Sequence, residues 1–273
     1  MSNPVLTKYK LAAIDLDDTL LAPDKSISSA NKQAVEDLRT AGIHVVLASG
    51  RTAESMRRYY DELGLTGPMI TNNGAFVKDP AAEEVLLRIA LPADLAGRVI
   101  DGGLERRFSV VCSLEGEVFA SEESTWVNLY ESRTGRRDVR HHLPENVKER
   151  QIVKIIWLSS PDRILNGLSS ARELFADSLN YMITEPEYVE FMEKRADKST
   201  GVKTVADFYG VLQAEVLAFG DNNNDVGMLR WAGAGIAVGN GSNSAKNAAD
   251  FVGPPGREDS FARALAAFSR SAT

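Results

Sequence analysis

The 273-residue chain is long enough for one large domain or two smaller ones, and 44% of its residues are hydrophobic, as a buried core requires. A net charge of −7 without a long basic block disfavours nucleic-acid binding, and no apolar run approaches the roughly 18 residues of a membrane span. The single cysteine, Cys112, excludes an intrachain disulfide. We therefore expect a cytoplasmic protein that acts on a small molecule, without a nucleic-acid or membrane partner.

The first predicted strand, Leu11 to Ile14, ends directly in the carboxylates Asp15, Asp17 and Asp18. Unpaired buried carboxylates are costly, so this strand end predicts a counter-charge, for which a hard cation such as Mg²⁺ is suited. Asp15 and Asp17 are two residues apart and share a face of an extended chain, which suits a nucleophile and a general acid. Taken alone, the motif is more typical of a solvated acidic turn. The Met1 to Pro4 segment lacks the basic and apolar pattern of a signal peptide.

Helices and strands alternate over the next part of the chain. The predicted elements are a helix from Ser28 or Ser29 to about Ala41, a strand from His44 to Ala48, a helix from Thr52 to about Leu63, and a strand from Met69 to Thr71. This alternation predicts a parallel, doubly wound α/β sheet. Ligands bind beyond the carboxyl ends of the strands in such sheets, so Asp15, Ser49 and Asn73 are expected near one site.

The pattern changes after about Asp79. The predicted elements are then a strand Val85–Ala90, a helix Ala93–Phe108, a hairpin Ser109–Ala120, a strand Ile152–Leu158, a helix Arg163–Ala176 and one or two strands in Tyr181–Glu193. Hairpins with helices predict an inserted α+β module of roughly 110 residues. We expect Trp126 and Tyr130 in its core, and Arg136, His141 and His142 in an exposed basic loop.

The first pattern returns after Lys194. The predicted elements are a helix Gly201–Tyr209, a strand Val216–Phe219, a helix Asp225–Trp231, a strand Gly235–Val238, a helix Asn243–Ala249, an edge strand Phe251–Val252 and a helix Ser260–Phe268. The glycines of Gly233–Gly241 lack the strand–loop–helix context of a nucleotide-binding loop and predict turns. One sheet domain is therefore interrupted by the inserted module.

A second acidic strand end, Gly220 to Asp225, matches the first in position and chemistry. Asp221 is expected to point toward the site, and Asp225 alone is as typical of a helix cap as of a functional group. Lys198 precedes a helix of the sheet domain, where its charge could offset the carboxylates and hold a phosphate oxygen.

The Ser49 hydroxyl, the Gly50 amide and Arg51 stand at a predicted helix N-terminus, which is a natural anion site. A phosphomonoester carries about −1.5 to −2 charges, so a carboxylate can attack it only when cations screen the repulsion. Two aspartates, a hydroxyl, a lysine and a metal-binding acidic pair are therefore the groups that phosphoryl transfer to a carboxylate requires.

Together these segments resemble the haloacid dehalogenase superfamily of phosphohydrolases. The matching segments are residues 15–21, residues 48–51, Lys198 and residues 220–225, and the large insert entered through residues 71–75 resembles the Cof-type subfamily. The resemblance implies a Rossmann-like parallel sheet core, residues 1–79 and 194–273, and an α+β cap domain, residues 80–193. It also implies Mg²⁺-dependent hydrolysis of small phosphomonoesters, sugar phosphates above all, through an aspartyl-phosphate.

The resemblance also implies a role for each matching position. Asp15 is the nucleophile and Asp17 the general acid and base; Asp15, the backbone carbonyl of Asp17, and Asp221 bind Mg²⁺, and Asp225 supports the metal shell or Lys198; Ser49, Gly50, Lys198 and Asn224 bind phosphate; Arg51 and Asn73 face the substrate. Asp18 and Ser199 stand where glycine is usual in the family, and Ser49 replaces threonine. Aspartate tolerates unusual turn conformations, so we expect activity to survive Asp18.

Two other functions remain consistent with these motifs. A phosphomutase of sugar phosphates carries both aspartates, so the motifs do not exclude it. A non-catalytic phosphosugar-binding regulator would be expected to lack the nucleophile, the acid or a metal ligand, and this sequence retains all of them.

Overall fold

A computed structural model describes residues 6–176 and 178–271, so the Met1 to Pro4 segment lies outside the described residues. The chain divides into two compact units. The first contains the chain up to Gly50, Met56–Leu87 and the chain from Asp197; the second contains Arg51–Ser55 and Arg88–Ala196. Among the described residues, no helix is both long and apolar enough to cross a lipid bilayer.

In the first unit, strands and helices alternate along the chain. In the second unit, strands that are close in sequence form hairpins. In chain order the strands are β1 (Leu11–Asp15), β2 (His44–Ala48), β3 (Met69–Thr71), β4 (Phe76–Asp79), β5 (Glu84–Arg88), β6 (Ser109–Ser113), β7 (Val118–Ala120), β8 (Lys154–Leu158), β9 (Leu179–Glu185), β10 (Tyr188–Glu193), β11 (Val216–Gly220), β12 (Ala234–Ala237) and β13 (Phe251–Val252). The helices are α1 (Ser29–Thr40), α2 (Ala53–Glu62), α3 (Ala93–Glu105), α4 (Thr125–Thr134), α5 (Pro161–Phe175), α6 (Lys198–Tyr209), α7 (Val226–Trp231), α8 (Asn243–Ala248) and α9 (Ser260–Ser271).

An eight-stranded sheet forms the first unit, in the order β13-β12-β11-β1-β2-β3-β4-β5. The pairs from β13 to β3 are parallel, whereas β4 is antiparallel to β3. All five residues of β1 are buried, as expected for the central strand of a sheet with both faces covered. Ile14 pairs with Phe219 of β11, so the two acidic strand ends lie at the same edge of the sheet. The predicted parallel α/β class is confirmed.

A separate five-stranded antiparallel sheet, in the order β7-β6-β8-β10-β9, forms the second unit. One face packs against α3 and α5 around Trp157, whose indole Nε1 donates a hydrogen bond to the Val99 carbonyl at 2.9 Å. The other face packs against α4 through Val127 and Tyr130. Tyr130 is buried, as predicted, and Trp126 packs against the same cluster. This unit is the predicted α+β insertion.

Local differences from the sequence prediction have identifiable causes. The predicted strand near Val85 is β5, but it extends the eight-stranded sheet beyond the predicted boundary at residue 79. Helix α4 was not predicted, because its apolar residues show only a weak helical periodicity. Arg136 was expected in an exposed loop, and that was wrong, because only 5% of this residue is exposed. Its Nε donates a hydrogen bond to Asp138 Oδ1 at 2.9 Å, which helps to satisfy the buried guanidinium. In the same segment, His141 Nε2 lies 2.8 Å from Glu131 Oε1.

Candidate active site

A completely buried lysine lies between two carboxylates at the carboxyl edge of the large sheet. Lys198 Nζ is 2.5 Å from Asp15 Oδ1 and 2.6 Å from Asp225 Oδ1. Burial lowers the pKa of Lys198, but the two carboxylates outweigh it and hold that pKa above its usual value. Lys198 is therefore a buried cation, which excludes the common alternative of a solvated surface lysine.

The start of α6 positions Lys198 for these contacts. It is the first residue of α6, which begins three residues before the predicted Gly201. Asp197 caps this helix by accepting a hydrogen bond from the Ser199 amide at 2.8 Å. A Cβ on Gly74 would lie 2.0 Å from the Asp197 carbonyl oxygen, so the turn after β3 can approach the helix only because residue 74 is glycine.

Both carboxylate oxygens of Asp225 accept hydrogen bonds from other groups of the protein. Its Oδ2 accepts hydrogen bonds from the backbone amides of Asp221 at 2.8 Å and Asn222 at 2.9 Å, while Oδ1 faces Lys198. A Cβ on Gly220 would lie 2.5 Å from the Asp225 Cβ, so glycine is needed where the strand turns. This carboxylate therefore fixes both the lysine and the turn that carries Asp221.

Three carboxylates converge at this edge of the sheet. Oxygens of Asp15, Asp221 and Asp225 all lie within 4.8 Å of one another, and Thr19 Oγ1 donates to Asp221 Oδ1 at 3.2 Å. Burial first, and the charge of Asp225 second, raise the pKa of Asp221 to about 7 and hold the pKa of Asp15 well above its usual value. Lys198 alone leaves an excess of negative charge. Clustered carboxylate oxygens are the donors that Mg²⁺ prefers, so this set fits a divalent cation.

The turn after β1 carries Asp17 and Asp18. Asp18 has φ = +61°, the left-handed conformation in which glycine is usual and aspartate is tolerated better than most residues. The departure at Asp18 is therefore compatible with the turn. The Asp17 carboxylate Oδ1 accepts a hydrogen bond from Lys25 Nζ at 2.8 Å, a partner that no sequence motif indicated.

Asn73 connects two of the predicted phosphate-binding residues. Its Oδ1 accepts a hydrogen bond from Asn224 Nδ2 at 3.0 Å, and its backbone amide donates to the Ser49 carbonyl at 3.0 Å. A Cβ on Gly50 would lie 2.9 Å from Asn73 Oδ1, so the side chain packs closely on the Gly50 backbone. Asn73 has φ = +52°, a left-handed conformation that asparagine tolerates better than most residues and that these contacts hold in place.

The structure thus brings most of the predicted site residues into the first unit. They are Asp15, Asp17, Ser49, Gly50, Asn73, Lys198, Asp221, Asn224 and Asp225, whereas Arg51 belongs to the segment that groups with the second unit. Sequence reasoning missed Thr19 and Lys25. Thr19 has a signal, because its hydroxyl lies within the first acidic motif, but Lys25 lies in a polar loop without one.

Comparison with known proteins identifies the family. A sequence model of the haloacid dehalogenase-like hydrolases matches residues 12–265. The 5-amino-6-(5-phospho-D-ribitylamino)uracil phosphatase YitU of Bacillus subtilis is 30% identical over 267 residues, covering 95% of this chain and 97% of the relative. A second Bacillus subtilis phosphatase of the same name, YcsE, is 27% identical over 257 residues, covering 94% of each chain.

Solved structures share the whole fold. A haloacid dehalogenase-like hydrolase from Bacteroides thetaiotaomicron superposes with a TM-score of 0.84 at 24% identity, covering 95% of this chain and 99% of that one. The range that the family model matches, residues 12–265, contains both acidic strand ends and the buried lysine. The chain therefore belongs to the haloacid dehalogenase-like hydrolases, in the Cof-type group of phosphatases.

Proposed function

We propose that the protein is a Mg²⁺-dependent phosphatase of small phosphomonoesters that works through an aspartyl-phosphate on Asp15. The observation that supports this most directly is the buried Lys198 between Asp15 and Asp225, beside a third carboxylate. A buried cation and a cation-binding carboxylate set provide the screening that a phosphate dianion needs in order to approach Asp15.

The chain's own residues account for both steps of the proposed reaction. Asp15 attacks phosphorus, the bond to the ester oxygen breaks, and Asp17 gives a proton to the departing alkoxide. Water then attacks the phosphorus of the aspartyl-phosphate while Asp17 accepts its proton, which releases phosphate and restores Asp15. Lys198 holds a phosphoryl oxygen as a point charge during both displacements.

Three further groups bind the phosphoryl oxygens beside Lys198 in this proposal. They are the Ser49 hydroxyl, the Gly50 amide and the Asn224 carboxamide. Asn73 fixes the relative positions of Ser49, Gly50 and Asn224. Its amide donates to the Ser49 carbonyl, its Oδ1 accepts a hydrogen bond from Asn224, and its side chain packs on Gly50. We therefore assign Asn73 to orientation of the phosphate site, in place of the direct substrate contact that the sequence suggested.

Asp15, the Asp17 backbone carbonyl and Asp221 would hold the magnesium ion. When bound, the ion supplies positive charge that neutralises the phosphate and the carboxylates around it. Asp225 supports this set indirectly, since its two oxygens hold Lys198 and the amides at Asp221 and Asn222.

Sugar and sugar-alcohol phosphates are the substrate class we favour. The Bacillus subtilis relatives YitU and YcsE are named for a substrate that carries its phosphate on a ribityl chain. Both match nearly the full length of this chain. A phosphorylated polyol chain is therefore the first leaving group to examine.

Release of inorganic phosphate from a panel of esters tests this function. The panel contains p-nitrophenyl phosphate, hexose phosphates, ribitol 5-phosphate and ribityl-pyrimidine phosphates, each assayed with Mg²⁺ and with a chelator. We expect turnover that requires the metal and is fastest on one or a few phosphorylated polyols. Phosphate that moves between hydroxyls only after a sugar bisphosphate is added would instead show a mutase. Tight binding of a phosphosugar without turnover would show a regulator.

Magnesium binding is expected to strengthen as the pH rises. The pKa of Asp221 lies near 7 in the folded protein, against a usual 3.8, so the folded chain holds a proton more tightly than the unfolded chain between these values. This group therefore destabilises the metal-free protein as the pH rises through that range, and the metal must displace the same proton. We expect the Mg²⁺-induced rise in melting temperature to grow from about pH 5.5 to about pH 8.

The matched variant for this measurement is Asp221→Asn. It should melt higher than the wild type in the absence of metal at about pH 8, because one uncompensated buried charge is gone. It should also lose the Mg²⁺-induced rise. A rise of the same size at every pH, or an unchanged rise in Asp221→Asn, would remove Asp221 from the metal site.

A further inference from the structure

The proposed general acid has an ion-pair partner in the loop that follows the nucleophile turn. Lys25 Nζ lies 2.8 Å from Asp17 Oδ1. The two side chains are partly exposed, with 42% of the lysine and 36% of the aspartate side chain accessible to solvent. An isolated pair of this exposure contributes at most about 1 kcal/mol to stability.

The backbone of Lys25 is strained and held in place from several sides. Its φ is +63°, in the left-handed region that a lysine rarely adopts. The Lys25 amide donates to the Ala22 carbonyl at 2.9 Å, and its carbonyl accepts a hydrogen bond from the Tyr59 hydroxyl at 3.1 Å. Tyr59 is only 2% exposed and comes from α2, so it is a rigid anchor. Strain that the surroundings impose in this way is typical of functional positions.

The rest of the loop closes on itself. The Ala22 amide donates to the Ser26 carbonyl at 2.9 Å. Asp24 Oδ1 accepts hydrogen bonds from the Ser26 amide at 3.0 Å and from its hydroxyl at 2.6 Å. The lysine therefore extends from a fixed turn, and its ammonium reaches Asp17 from a defined direction.

We propose that Lys25 is a positioning residue that holds the Asp17 carboxyl group in the orientation used to give a proton to the leaving alkoxide and to accept one from the attacking water. This inference rests on the proposed phosphatase function. A partly exposed aspartate samples several rotamers, and proton transfer requires its oxygen within hydrogen-bond reach of the leaving oxygen. The fixed ammonium restricts that choice, so the removal of Lys25 reduces the fraction of time in which Asp17 is correctly placed.

The leaving group distinguishes this role from a merely structural one. Departure of an alkoxide needs the proton from Asp17, whereas p-nitrophenolate is a weak base and leaves without one. The ratio kcat/KM reports the steps up to release of the alcohol. For Lys25→Met we expect kcat/KM to fall roughly tenfold on an alkyl phosphate and less than about twofold on p-nitrophenyl phosphate. Lys25→Arg keeps a cation at this place and should restore most of the alkyl activity.

Lys32→Met is the matched control. Lys32 Nζ lies 2.7 Å from Glu62 Oε1, with side-chain exposures of 45% and 39%. The Lys32→Met variant therefore loses an ion pair of similar exposure within the same unit. It should match the wild type on both esters. In an Asp17→Asn background, Lys25→Met should cause no further loss on the alkyl ester, because the group it positions is already gone.

Equal losses on the two esters, or a full additional loss in the Asp17→Asn background, would overturn the role of Lys25 while leaving the phosphatase proposal intact. Failure of the wild type to hydrolyse any ester would instead overturn the phosphatase function, and the inference about Lys25 with it.

Discussion

We expect the Asp15→Asn protein to lose at least about 10⁴-fold in phosphate release and to remain fully folded. An amide cannot form the acyl phosphate on which both steps of the proposed reaction depend. Folding should not suffer, because Asp15 is a buried carboxylate among like charges, and Lys198 keeps its second partner, Asp225, at 2.6 Å. Initial rates of phosphate release and thermal melting, measured on the same preparation, test both statements.

Asp17→Asn is the partner variant for this experiment. It should still accept a phosphoryl group from p-nitrophenyl phosphate but hydrolyse the intermediate slowly, because the base for the attacking water is missing. Intact-protein mass spectrometry should then show one added phosphoryl group, which disappears in the Asp15→Asn, Asp17→Asn double variant. Residual turnover by Asp15→Asn above that of an Asp15→Ala preparation would refute the nucleophile assignment.

Lys198→Met should abolish activity and also destabilise the protein by about 3–5 kcal/mol at neutral pH. The substitution leaves Asp15 and Asp225 buried without their cation, and both oxygens that face it are within 2.6 Å in the wild type. The lost stability should partly return at low pH, since the Asp15 carboxyl group, whose pKa burial already raises in the wild type, then takes up a proton that the unfolded chain binds less tightly. Urea unfolding at about pH 5.5 and about pH 8 measures both effects.

Lys203→Met provides the control on the same helix. Lys203 forms an exposed pair with Asp207 at 2.7 Å, so its removal should cost less than about 1 kcal/mol. A double variant, Lys198→Met with Asp225→Asn, should recover part of the lost stability because one stranded charge is removed. If Lys198→Met were as stable as Lys203→Met, the lysine would not be the main counter-charge of this cluster.

Much of the site was predictable because its residues lie directly after apolar strands. The runs Leu11–Ile14 of β1 and Val216–Phe219 of β11 are hydrophobic, and Asp15 and Asp221 follow them closely, so strand position and chemistry coincide in the sequence. The pairing of Lys198 with Asp15 could be expected only from the family resemblance, because 183 residues separate them. The Asn73 and Lys25 contacts depend on left-handed backbone conformations, which asparagine permits without requiring and which local preferences disfavour for lysine.

The fold was predictable to the level of its elements rather than their partners. The strand predicted at Val85–Ala90 is β5, Glu84–Arg88. A strand's own residues do not indicate which sheet supplies its neighbour, and β5 belongs to the larger sheet. Helix α4 was not predicted because its apolar residues show only a weak helical periodicity, and the sheet face that stabilises it cannot be seen in its own residues. Arg136 was misplaced for a related reason, since a buried arginine depends on partners such as Asp138 that pattern analysis does not pair.

The position of β1 between β2 and β11 has a consequence for synthesis on the ribosome. One edge of β1 can pair with β2 early, but Ile14 meets Phe219 only after the inserted unit has been translated. At about 5–20 residues per second, the roughly 200 intervening residues take roughly 10–40 s to emerge. Throughout that interval the second edge of β1 keeps its backbone N–H and C=O groups unpaired in the nascent chain, which is the kind of surface that chaperones shield and that aggregation exploits. Because Asp221 directly follows β11, the same delay leaves the proposed site around Asp15 incomplete until most of the polypeptide has been made.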